Sequence, residues 1–259
     1  MSAMTTPAAF APRPLSSRVG NVVRLHVANP FTIFVTPAIV LGLIFAANWM
    51  IWWIIRTAAP SDPQSVADVS AGFQFSGATL WIFVYMMIVA IQAMNLTFSF
   101  ALGFSSTRRD FLLGSGLTFV ALSALYAVAY ILLAGIETWT GGWGVGGAMF
   151  NSIYFGLDAP WWQRLFHVFA LFLFFFAAGS VFGSMYVRWK ARGLILFFSV
   201  LSVALMAAGA LLTVTASWGR VGEFFAAAGF TGSYALSLVV SLIAGLAAYL
   251  ILRRATPRN

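Results

Sequence analysis

Six stretches of this chain are apolar for the length that a bilayer demands. A helix rising 1.5 Å per residue crosses a hydrocarbon core of about 30 Å in roughly 20 residues. The runs at 31–55, 78–100, 111–136, 165–187, 193–216 and 233–252 meet that length. Lipid offers backbone amides no hydrogen-bond partner, so runs of this kind must satisfy their own amides as helices. The expected fold is therefore an all-α integral membrane protein with six transmembrane helices. A hydrophobic fraction of 61 % against 8 % charged residues excludes a soluble domain.

The basic residues set the topology. Arg13, Arg18, Arg24, Arg108, Arg109, Arg188, Lys190, Arg192, Arg253, Arg254 and Arg258 fall on one side of the predicted spans, and only Arg56, Arg164 and Arg220 on the other. Five of the six acids, Asp62, Asp68, Glu137, Asp158 and Glu223, share that second side. By the positive-inside rule both termini are cytoplasmic. The net charge of +8 is dispersed between spans rather than gathered into a patch, so it signals topology and not nucleic-acid binding. Tryptophans cluster toward the outer face, from Trp49 to Trp218, with Trp189 at the inner one.

Residues 1–14 are proline-rich and lack a continuous apolar core, so they read as a cytoplasmic tail without a cleavable signal; residues 255–259 form a second short tail. Between tail and first span, residues 15–30 form the elbow. Leu15, Val19, Val22, Val23 and Val27 share one helical face there, with Arg18, Asn21 and Arg24 opposite. This predicts an amphipathic helix in the membrane interface, ended by Asn29-Pro30. In the outer segment 217–232 the apolar piece 224–230 is too short to span and is either re-entrant or interfacial.

Much chemistry is excluded. The chain has no cysteine, so thiol and disulfide chemistry is absent. Its only lysine, Lys190, lies in Val-Arg-Trp-Lys and not in a phosphate-binding loop, so no ATP site is expected. His26 and His167 stand apart, without metal-ligand spacing. No ionisable residue occupies the middle of a span, where ion-coupled carriers place one. The membrane body therefore has no cofactor and no energy source of its own.

Three polar or small-residue features remain. The first is the basic turn between spans two and three. Thr107 and Asp110 form a [ST]-x-x-[DE] capping box before Phe111, which starts a helix and puts Arg108 and Arg109 at its positive end. An anionic partner must offset them, either lipid headgroups or an acidic groove on another protein. Second, Gln92, Asn95 and Ser99 fall on one face of span two; they line a pathway or form inter-helix hydrogen bonds. Third, Gly179 and Gly183 in span four, and Ser237, Ser241 and Gly245 in span six, form stripes for close packing, within one chain or between two.

The run Leu102-Gly103-Phe104, with Ser106-Thr107-Arg108-Arg109 and Phe111, resembles the turn between spans two and three of ABC-2-type exporter permeases. Gly183-Ser184-Met185-Tyr186-Val187-Arg188-Trp189 is similar to the run that closes their fourth span, although Lys190 stands where glycine is frequent. The resemblance implies a dimer of permeases, homo- or heterodimeric, in a bacterial plasma (inner) membrane. Each permease docks a separate ATPase that carries ATP and Mg. Phe104, Ser106, Thr107, Arg108, Arg109, Asp110 and Phe111 would form the docking turn, and 217–232 would close the pathway outside. An aromatic, weakly polar interior favours an amphipathic or hydrophobic cargo. A membrane scaffold anchoring a cytoplasmic partner through the same turn is the alternative, and it would tolerate leucine at Gln92, Asn95 and Ser99.

Overall fold

The computed structural model describes residues 14–103, 107–157 and 159–254. Among these there is no strand, and eight α-helices follow in order. They are α1 (Leu15–Val27), α2 (Thr36–Ala58), α3 (Pro63–Phe73), α4 (Leu80–Gln92), α5 (Phe98–Gly103), α6 (Arg108–Trp139), α7 (Trp161–Val214) and α8 (Trp218–Leu252). Five helical runs are long and apolar enough to cross a membrane. The count is five where six runs were expected because α7 carries two of those runs in one 54-residue helical stretch. It is broken at Lys190, whose backbone lies at φ 56°, ψ −154°. There the chain reverses, since Phe182 meets Phe197 and Phe198 with ring centroids 5.9 and 5.3 Å apart. A straight helix would hold those residues more than roughly 20 Å apart. A second break, at Gly229 (φ 62°), divides α8.

The core is aromatic. Phe83 packs on Phe172 and Phe119 stacks on Phe176, at centroid distances of 4.4 and 4.9 Å. Glycine permits a close approach between α7 and the helical run that begins with α4. A Cβ on Gly183 would lie 2.6 Å from Met94 Cβ, and one on Gly179 2.8 Å from Ala90 Cβ. Those two glycines therefore pack within the chain. Position rises along both helices through these contacts, so α4 and the first arm of α7 run parallel. The reversal at Lys190 thus shares the end of the bundle where α6 begins and α8 ends.

The first span is held by hydrogen bonds more than by packing. A π-helical turn at Phe31–Val35 sends the Thr36 amide to Phe31 O, and Pro37 has no amide to give. The amides that would serve Thr32 O and Ile33 O in a regular α-helix are thus redirected in one case and missing in the other. The Tyr85 hydroxyl donates to Thr32 O at 2.7 Å, and the Tyr126 hydroxyl donates to Ile33 O. Tyr85→Phe with Tyr126→Phe should cost about 1–3 kcal/mol for each orphaned carbonyl. Thermal unfolding in detergent would read it as a lowered midpoint.

At the opposite end a buried carboxylate organises the loop after α6. Glu137 is 1 % exposed and accepts from Trp143 Nε1 (2.9 Å) and from the amides of Met149 (2.8 Å), Phe150 (3.1 Å) and Asn151 (2.7 Å). The chain winds around it in left-handed conformation at Gly141, Gly142, Trp143, Gly144 and Gly146, which explains the glycine content. His167 locks the same region to α8. One ring nitrogen meets Phe155 O and the other Thr231 Oγ1, both at 3.0 Å, and the ring stacks on Tyr234. Both ring nitrogens and the ring face of His167 are thus taken up in packing.

Candidate functional site

The basic turn opens α6 as its capping box predicts. Thr107 is the N-cap, and its Oγ1 accepts from the Asp110 amide at 3.1 Å. Phe104 and Ser106 lie outside the described residues. The Asp110 carboxylate does not return to the Thr107 backbone. Its side chain is 2 % exposed and pairs with Arg18 of α1, with Arg18 Nη1 3.2 Å from Asp110 Oδ2. A negative charge in the first turn also suits the helix dipole.

Three contacts in register dock α1 along the start of α6. Arg18 meets Asp110. One helical turn further, Val22 packs on Gly114, where a Cβ would lie 2.6 Å from Val22 Cβ. His26 then reaches Ser115, with Nε2 to Oγ at 2.7 Å. Of the apolar face expected on α1, only Val22 is buried by protein. Phe111 supplies the seat; it is fully buried and lies edge-on to Phe98 at 5.2 Å.

Of the two arginines, one finds a neutral acceptor inside the chain, not the anionic partner expected. Arg108 Nη1 donates to Arg253 O at 2.6 Å, at the C-terminal end of α8. Cations are stabilised there by the negative end of the dipole. Arg109 stays exposed. One turn thus touches the first helix and the last and presents one guanidinium outward.

His26 gives this joint a pH dependence. Burial against Phe111 and Phe119 pushes its imidazole down to about 4. Ser115 donates its own proton to Phe111 O, so Nε2–H of neutral His26 donates to Ser115. Free His titrates near 6.5, so the undocked helix binds more protons between about 4 and 6.5. Docking is fully stable above that window and weakens as pH falls through it. Hydrogen exchange of α1 should quicken on acidification, and His26→Gln should flatten that dependence.

Above the joint a cavity of about 170 Å³ opens between α1, the first span, α4 and α6. His26, Asn29, Gln92, Thr97 and Thr118 give it polar walls. Of the three polar residues predicted to share a face, Gln92 lines this cavity; Asn95 and Ser99 do not. A π-helical turn at Ala93–Thr97 separates Gln92 from Ser99 and shifts the α-helical register. Leu96 and Thr97 enter the wall instead. Beyond it, Phe34, Leu41, Ile82, Tyr126 and Phe172 line an apolar cavity of about 210 Å³.

In α8, Ser237 and Ser241 bond back to their own helix, donating to Tyr234 O and Ser237 O at 2.7 Å. Ser241 and Gly245 line an apolar groove against α6 and α7. Sequence reasoning missed the partner of Asp110 and the role of Glu137. The second had a signal, an acid just before a run of glycines. No family model matches this chain, and neither does any curated protein or solved structure.

Proposed function

We propose that this chain is the transmembrane permease subunit of an ATP-driven exporter, paired with a second permease and a separate ATPase that holds ATP and Mg. The observation that carries the reading is the basic turn. Its helix start is bonded to α1 through Asp110 and to α8 through Arg108, and it offers Arg109 outward. A push on the turn would therefore move the first and last helices together. Counting the two arms of α7 as spans four and five gives six spans, with the turn and both termini in the cytoplasm of a bacterial cell. The polar cavity at Gln92 and the apolar one above it suit an amphipathic or hydrophobic cargo entering beside the first span.

The test is a pull-down from native membranes, comparing wild type with Arg108→Glu/Arg109→Glu. A nucleotide-binding protein should accompany wild type and be lost from the double variant. Gln92→Leu should leave that complex intact and alter export. A partner without nucleotide-binding activity, with Gln92→Leu neutral, would select the membrane scaffold instead.

A further inference from the structure

The reversal in α7 carries an arrangement that the exporter reading does not use. Arg188, Lys190 and Arg192 crowd the turn, and among the described residues no carboxylate pairs with any of them. The Arg188 guanidinium sits 4.6 Å from the Trp189 ring centroid, and the Lys190 ammonium 5.7 Å from that of Tyr186. Arg192 stands at the rim of an apolar trough of about 470 Å³, floored by Met185 and walled by Trp189, Leu196, Phe197 and Val200. Gly193 draws the second arm in, since a Cβ there would lie 2.5 Å from Trp189 Cβ. From Arg192 to Val200 the trough follows the helix for roughly 12 Å away from the charged turn.

We propose that this turn and trough bind an anionic phospholipid. The phosphate lies against Arg192 with Lys190 and Arg188 beside it, and one acyl chain runs along Leu196 and Val200. Charge complementarity selects the occupant. Three cations with no carboxylate to neutralise them exclude a cationic or purely apolar ligand, and the apolar trough beneath them exceeds the needs of a free anion. Basic pockets between spans, next to an interfacial tryptophan, suit such headgroups. The inference stands whether or not an ATPase docks at the other turn.

Native mass spectrometry of the full chain in detergent, titrated with phosphatidylglycerol or phosphatidylcholine, tests it. Wild type should retain phosphatidylglycerol in preference. Arg192→Gln should weaken that retention about fivefold, the worth of one surface cation. Leu196→Trp should weaken it with every charge intact, because the indole fills the trough. Both side chains are exposed, so neither change disturbs the core. Arg220→Gln, elsewhere on the surface, should match wild type. Equal retention of the two lipids by wild type would overturn the proposal. So would Leu196→Trp at the wild-type level, or complete displacement of the lipid by inorganic phosphate, since either means that the headgroup alone is held.

Discussion

Glu137→Ala should release the loop after α6 and lower stability by roughly 4 kcal/mol or more. The carboxylate holds three backbone amides and the Trp143 indole in a buried site. Its loss leaves donors without partners, each costing about 1–3 kcal/mol. A domain's whole stability is about 5–15 kcal/mol, so this change approaches the threshold for folding. Glu137→Gln keeps one acceptor oxygen but turns an NH2 group toward the amides, so it should cost about half as much. Thermal unfolding orders the three proteins, and limited proteolysis within 141–153 should appear first in the alanine variant. A midpoint for Glu137→Ala equal to wild type would mean that the loop holds without its carboxylate.

Gly114→Leu should detach α1 from α6. Even a Cβ at this position would lie 2.6 Å from Val22 Cβ and 3.1 Å from Val19 O, and the latter is backbone that cannot turn aside. Overpacking of this kind costs about 1–3 kcal/mol. The larger consequence is mechanical, because the Arg18–Asp110 pair and the His26–Ser115 bond both depend on the same register. Hydrogen exchange over 15–27 should approach that of an unprotected helix, while α4 and the first arm of α7 stay protected. On the coupling account, ATPase stimulation should fall with it. Protection of α1 equal to wild type would show that the docking is not set by Gly114.

The parts of the fold written locally were readable in the sequence. Apolar runs announced the long apolar helices, Thr107 capped a helix at the predicted residue, and Gly179 and Gly183 marked a close approach. What failed to show was pairing between distant positions. Nothing near Asp110 names Arg18, and nothing near Pro37 says that two tyrosines replace the hydrogen bonds it removes. The π-helical turn at Ala93–Thr97 defeated the face predicted for Gln92, Asn95 and Ser99, because one changed turn rotates everything after it. The two arginines of the turn are equivalent in the sequence, yet Arg108 finds α8 and Arg109 stays exposed.

Because the chain has no cysteine, a single introduced thiol reports one position. Arg109→Cys carrying a photoreactive maleimide, irradiated in native membranes, tests the central claim most directly. The account predicts a cross-link to a nucleotide-binding protein at Arg109 and none from Trp139→Cys at the other end of the same helix. Labelling of Arg109→Cys by an impermeant maleimide from outside the cell, or a cross-link only to proteins that bind no nucleotide, would contradict it.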